Sequence, residues 1–333
     1  MYTKFYGLRE RPFEITPDPK FLFLSENHKE ALAHLTYAVQ ERKGFTVITG
    51  EVGTGKTTLV QTLLSRLDGN TRTAYLFNPN LGSTDFLHYI CEDLGLKGQK
   101  RSKGQYLTHL HNFLMSCYAR NENVVLIIDE AHTLDPILLE EVRLLTNLET
   151  PKSKLLQVIL MGQPELNDTL NRPEFRQLKQ RVSLRYHMQP LNKEEARQYI
   201  KKRMRVAGAF DLDMFTPKAF KEIYEYSKGI PRLINIVCDN ALLTGYSTDQ
   251  KVIGKSIVRE VISHLDGVNL QKKGRKFVLL KVIPIVLLTL VAFIILGTLI
   301  NAKWDITGCI QFFKNTILKL YQEIFGKLLR GVI

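Results

Sequence analysis

Two short stretches carry residues whose types and spacing suit phosphate chemistry. The first is GEVGTGKT, Gly50 to Thr57, which fits the pattern G-x-x-x-x-G-K-[ST]. Gly50, Gly53 and Gly55 let the backbone curl so that its N–H groups point inward at phosphate oxygens. The whole loop through Thr58, with Glu51, Val52 and Thr54, is therefore expected to cradle a triphosphate. Lys56 would reach the β- and γ-phosphates, and the Thr57 hydroxyl would ligate magnesium. The second stretch is Val124-Val-Leu-Ile-Ile-Asp-Glu130. Two carboxylates at the end of a buried run are costly unless a cation or a water network meets them. Asp129 reads as the residue that holds the metal, directly or through a water. Glu130 reads as the base that orients and activates a water. ATP with Mg²⁺ is the expected ligand pair, and hydrolysis the expected chemistry.

Such a loop works only between a strand and a helix. Residues 45–49 (FTVIT) are apolar and β-branched, and residues 58–67 carry apolar side chains at helical spacing. The five aliphatics 124–128 predict a strand buried on both faces of a parallel sheet. Its acidic end then falls where open α/β sheets bind ligands. Further strands are expected over 73–77, 155–162 and 182–186. Helices are expected near 83–94, 104–120 and 136–148, after a helix of about fifteen residues that follows Ser25, His28 and Glu30. From Pro190 the pattern turns helical. Asn192 caps a helix with Glu194 and Glu195 in its first turn, and Gly208 ends it. Thr216-Pro217 starts the next, and Gly229-Ile-Pro-Arg232 opens another.

The net charge of +13 first suggests nucleic acid. However, ten Lys/Arg and only two acids lie from Leu270 onward, so that segment carries +8 and residues 1–269 only +5. The excess surrounds Val282–Ile300, nineteen residues without a charge, long enough as a helix to span about 28 Å. A membrane surface explains this pattern better than DNA does. Lys272, Lys273, Arg275, Lys276 and Lys281 precede the span, which places the larger part of the chain in the cytoplasm. The apolar face and lysine fringe of the last thirty-odd residues suit an interfacial or partner-binding helix across the membrane. Cys91, Cys117, Cys238 and Cys309 are scattered and form neither a zinc site nor a disulfide framework. MYTKFYGLRERPF has no apolar signal-peptide core.

FYGLRERPFEITPDPKFLFLSENHKEALAHL followed by ITGEVGTGKTTL resembles the ExeA/GspA-type ATPases of bacterial general secretion, which are AAA+-related. The resemblance runs from about residue 1 to residue 265. It implies an α/β fold: a parallel five-stranded sheet in order 5-1-4-3-2 flanked by helices, then an α-helical lid, with one C-terminal transmembrane helix. The implied organisation is a lead-in packed on the ATPase core (1–44), the nucleotide-binding domain (45–189) and the lid (190–266). A basic linker (267–276), the membrane helix (277–300) and an amphipathic tail (301–333) follow. Of the aromatics in the lead-in, some are alternatively expected to line the adenine pocket. Longer members carry a peptidoglycan-binding domain after the span, for which the tail here is too short.

The same resemblance assigns further roles. Gln163 falls where a first sensor bonds the γ-phosphate or the lytic water. Arg181, or as second choice Arg176, falls where an arginine finger enters a neighbouring subunit; either could instead be a surface arginine paired with Glu174 or another acid. Arg232 falls where a lid arginine reaches the γ-phosphate. Asn78 is either a polar switch residue or a plain turn asparagine, and His132 is read as a residue that supports the site from behind or packs, rather than a catalyst. The implied protein self-associates, sits on the bacterial inner membrane with a short periplasmic tail, and contacts inner-membrane lipid and secretion or envelope-assembly proteins. Nucleic acid is disfavoured as a partner. The rival readings are a DNA-associated ATPase of the transposition or replication-initiation type, and a nucleotide-gated adaptor in polysaccharide or protein-sorting machinery.

Overall fold

The structure, a computed structural model, describes residues 1–16, 18–77, 79, 81–96 and 102–267. The chain divides into a compact unit, Met1–Ser263, and a second unit that begins at His264. Five strands form the sheet of the first unit: β1 (Phe45–Gly50), β2 (Thr71–Leu76), β3 (Asn123–Ile128), β4 (Gln157–Gly162) and β5 (Leu184–Met188). Their order is β2-β3-β4-β1-β5, the expected one, and every pair is parallel. All strands therefore end on the same edge, and the loops after β1, β3 and β4 converge there.

The period-2 alternation of each central strand feeds two cores. Val124, Leu126 and Ile128 of β3 face one hydrophobic cluster, and Val125 and Ile127 face the other. β4 divides likewise, with Val158 and Leu160 against Ile159 and Met161. Helices α4 (Ser83–Asp93), α5 (Lys103–Ala119) and α6 (Pro136–Leu145) supply the first cluster. Helices α2 (Glu26–Gln40) and α3 (Lys56–Arg66) supply the second. Each buried aliphatic contributes roughly 1.5–3 kcal/mol, which is why β3 needs no polar residue over five positions.

Short helices α7 (Glu165–Leu170) and α8 (Arg176–Arg181) lead from β4 to β5. Strand β5 starts two residues later than expected. Val182 N–H is still bonded to Lys179 O at 3.3 Å as α8 closes, and Ser183 N–H first meets Phe45 O at 2.9 Å. Helix α6 stops at Leu145 rather than 148, because Asn147 and Leu148 bond back three residues, to Leu144 and Leu145. Those tighter turns satisfy carbonyls that the end of the helix would otherwise leave open.

The helical part comprises α9 (Lys193–Val206), α10 (Pro217–Ser227) and α11 (Pro231–Ser247). Its expected caps are present. The Asn192 side chain accepts from Glu194 and Glu195 N–H, Thr216 accepts from Ala219 N–H, and Pro217 and Pro231 occupy first turns. Gly229, at φ +80°, joins this part to the sheet: a Cβ there would lie 1.9 Å from Leu191 O. No larger residue fits.

The lead-in departs from expectation. Only α2 lies on the sheet, against α3 and β5. Residues 1–14, beginning with α1 (Tyr2–Phe5), dock on the helical lid instead. The Tyr2 hydroxyl donates to Asp239, and the Tyr6 hydroxyl donates to Leu242 O and Gln250 O. Phe13 meets Phe215 edge-on. The lid offers these aromatics apolar surface with the Asp239 carboxylate and the Leu242 and Gln250 carbonyls beside it, whereas α2 and α3 already cover the corresponding face of the sheet. Among the described residues no helix is long and apolar enough to cross a membrane. The expected span 277–300, the tail, Asn78 and all of the linker past Gly267 lie outside the described residues.

Candidate nucleotide-binding site

The loop after β1 takes the shape its glycines permit. Gly53 and Gly55 have φ of +84° and +100°, the left-handed region that side chains rarely adopt. Each is also crowded: a Cβ on Gly53 would lie 2.5 Å from Arg232 Cβ, and one on Gly55 2.8 Å from His28 Nε2. The N-terminus of α3 follows at Lys56 and aims its free N–H groups into the loop. Lys56 is 6 % exposed, and its Nζ donates to Gly50 O at 2.7 Å and Glu51 O at 3.1 Å. Burial pushes its pKa down, against the opposing pull of Glu130, Asp129, Glu51 and Glu165.

Asp129, at the end of β3, is fully buried and takes three hydrogen bonds. Thr57 Oγ1 donates to its Oδ2 at 3.0 Å, Tyr75 hydroxyl to the same oxygen at 3.0 Å, and Glu130 N–H to Oδ1 at 2.8 Å. The Asp129–Thr57 pair expected at the metal is therefore assembled, an oxygen-donor set of the kind magnesium uses alongside phosphate. Tyr75 was not foreseen. It reaches Asp129 from the neighbouring strand β2, and burial first, then the Asp129 charge, raises its phenol well above the ordinary value.

Glu130 sits at φ 50°, ψ 33°, left-handed for a residue with a side chain. The chain turns sharply there, closed by Thr133 N–H and Oγ1 on Glu130 O at 2.9 and 2.8 Å. The turn brings His132 between two expected site residues. His132 Nδ1 is 3.5 Å from Glu130 Oε2, and its Nε2 is 2.8 Å from Gln163 Nε2 at the end of β4. Glu130, Gln163, Lys56, Thr57, Thr58, Val52, Gly53, Gly55 and Arg232 all line one cleft of about 330 Å³. Arg232 enters from the first turn of α11, its N–H 3.4 Å from Gly53 O.

A smaller cavity of about 100 Å³ adjoins the loop on the lid side. Phe21, Phe23, Leu191, Tyr199 and Pro231 line it, with His28 and Thr54. Aromatics of the lead-in thus line a pocket beside the phosphate loop. Arg203 borders both cavities. Its guanidinium donates to Pro12 O, Glu14 O and the Tyr199 hydroxyl and lies over the Phe21 ring. No local signal in the sequence marks Arg203 or His28 as site residues, because Pro12 and Glu14 for Arg203 and Thr54 for His28 are far away in the chain. His28 Nε2 meets Thr54 O at 2.9 Å while Nδ1 meets Ser25 Oγ at 2.6 Å. Burial lowers its pKa.

The two arginines between β4 and β5 do not join this cleft within one chain. Arg181 lies beside Gly44 and Phe45, at the opposite end of β1 from the loop, and donates to Thr146 Oγ1 at 3.1 Å. Arg176 is exposed, and Glu174 pairs with Arg172 instead.

This sheet order, glycine loop and acidic strand end define a P-loop fold of the AAA type. Residues 39–170 match the family described as AAA domain. Over 248 residues the chain is 47 % identical to General secretion pathway protein A of Aeromonas hydrophila, a match covering 74 % of this chain and 45 % of that protein. The chain thus spans less than half the length of this relative. Among solved structures, the Aeropyrum pernix ORC2 protein is similar at a TM-score of 0.58 and 18 % identity, over 76 % of this chain and 71 % of that one. Drosophila ORC bound to DNA is similar at 0.59 and 18 %, over 76 % and 64 %. At such identity these two likenesses establish the fold alone.

Proposed function

We propose that this chain is a membrane-anchored ATPase that hydrolyses ATP with Mg²⁺ to drive assembly or operation of a bacterial secretion or envelope complex. One observation carries the enzymatic part: a single cleft gathers Lys56, Thr57, Glu130, Gln163 and Arg232. Glu130 takes the proton of the attacking water, and Lys56 offsets phosphate charge once it leaves the carbonyls of Gly50 and Glu51. Magnesium, when bound, would spread the charge of the phosphate oxygens, and Asp129 and Thr57 are the residues that would hold it. Gln163 and Arg232 contact the γ-phosphate from the sheet and the lid. The likeness to General secretion pathway protein A supports the secretion role.

Anchoring follows from the uncharged stretch Val282–Ile300 and the basic cluster before it, with the ATPase part cytoplasmic and the tail periplasmic. Self-association would bring Arg176 or Arg181 of one copy to the cleft of another. The test is phosphate release by the full chain in detergent or vesicles, with and without Glu130→Gln. Turnover that ignores Glu130→Gln would remove the enzymatic reading. Submicromolar, salt-dependent binding of duplex DNA by that preparation would favour the DNA-associated rival.

A further inference from the structure

The ring of His132 occupies a place that neither phosphate contact nor core packing requires. It lies between the ends of two strands: Nδ1 is 3.5 Å from Glu130 Oε2 after β3, and Nε2 is 2.8 Å from Gln163 Nε2 after β4. The backbone on both sides is tightly held. Glu130 is in the left-handed region, Thr133 closes the turn onto Glu130 O, and the turn lies so close to β4 that a Cβ on Gly162 would sit 3.1 Å from His132 N. The ring is mostly buried, at 15 % exposure, whereas the Glu130 side chain is 41 % exposed and makes no other ion pair within 4.0 Å among the described residues.

We propose that His132 is a positioning residue that joins the general base to the sensor. This rests on the ATPase reading above. Gln163 meets the ring twice, its main-chain N–H donating to Nδ1 at 3.4 Å and its side-chain amide lying 2.8 Å from Nε2, while the Glu130 carboxylate lies 3.5 Å from Nδ1. The histidine then fixes the rotamer of Glu130 and the direction of the Gln163 amide together. Without it, Glu130 is a partly exposed carboxylate on a flexible stem, and only a fraction of its rotamers face a water in the cleft. His132 itself touches no nucleotide. It acts through its two neighbours.

The experiment compares wild type, His132→Ala, His132→Gln and the pair Gln163→Ala and His132→Ala/Gln163→Ala, all as full chain. Steady-state turnover and the affinity for a fluorescent ATP analogue are the readouts. For His132→Ala, kcat should fall by about tenfold to a hundredfold, with KM and analogue affinity within about twofold of wild type. His132→Gln, which can still bond both neighbours, should recover most of the loss. The double variant should be little worse than Gln163→Ala alone, since a shared array is lost once. An unchanged kcat in His132→Ala, a parallel loss of analogue affinity, or fully additive effects would each overturn the proposal. Wild-type turnover that Glu130→Gln fails to reduce would instead count against the ATPase reading, so the two failures are separable.

Discussion

The phosphate end of the cleft and the end facing the lid are built in opposite ways. At the phosphate end, each residue sits at or just past the end of a buried strand, and parallel pairing of β1, β3 and β4 brings those ends together. Little beyond strand register is needed. At the lid end, positions are set by single hydrogen bonds between segments far apart in the chain. Arg203 bonds the carbonyls of Pro12 and Glu14, and Tyr2 bonds Asp239. The first arrangement resists perturbation because the sheet core must fail before it does. The second depends on contacts that can be removed one at a time, so chemistry and lid attachment are separable by mutation.

The sharpest break in that contrast acts on the phosphate end alone. Glu130→Gln should reduce phosphate release by about 10²–10⁴-fold while leaving the fold and ATP binding intact, as read by circular dichroism and analogue binding. Lys56→Ala should lose binding as well. Next in size is the joint between the ends. Gly229→Ala places a Cβ onto Leu191 O at a position with φ +80°. It should destabilise the protein by about 3 kcal/mol, seen as a lower midpoint in denaturant unfolding, with lid signals lost before sheet signals.

The contrast also explains what the sequence made legible. GEVGTGKT and Asp129-Glu130 were reachable because each is a short motif whose geometry is local, whereas the sheet order, Gln163 and Arg232 were reached through the family resemblance. Tyr75 was not. It is an ordinary strand tyrosine until β2 pairs with β3 and Tyr75 comes opposite Ile127, two residues before Asp129. His28 and Arg203 are further beyond reach, since their partners Thr54 and Pro12 lie 26 and 191 positions away. The lead-in was expected on the sheet because its aromatics called for an apolar surface. Nothing in their spacing said that the lid would supply it.

Two side chains measure how separable the ends are. Arg203→Ala takes the guanidinium from the Pro12 carbonyl and leaves Glu14 O with the Asn235 amide at 3.5 Å, and should cost about 2–3 kcal/mol. ATP should bind more weakly, with kcat at saturation retained, because the lining of both cavities shifts but Glu130 does not. Equal losses in kcat and affinity would mean that the two ends are coupled. Tyr75→Phe removes one of three donors to Asp129 and should cost about 1 kcal/mol. Its effect should appear as an altered magnesium requirement in a turnover titration, with the unfolding midpoint little changed.

The smallest effect tests a hydrogen bond between the lead-in and the phosphate loop, from His28 to Thr54 O. His28 is buried, its pKa is lowered by that burial, and the groups facing it are Ser25, the Thr54 carbonyl and Glu195. Glu195 and the carbonyl favour a charged ring, but burial outweighs them. Above the unfolded value of 6.5 the ring is neutral in both states, and stability does not depend on its titration. As pH falls through 6.5 the unfolded chain gains a proton that the native chain refuses, so stability drops. The drop levels off below the lowered native pKa. His28→Gln keeps a donor for Thr54 O without a titrating group, so its unfolding midpoint should fall less between about pH 8 and about pH 5 than that of wild type. Matching profiles would mean that His28 is reached by water in the native state. The loop would then be held at Gly55 by packing alone.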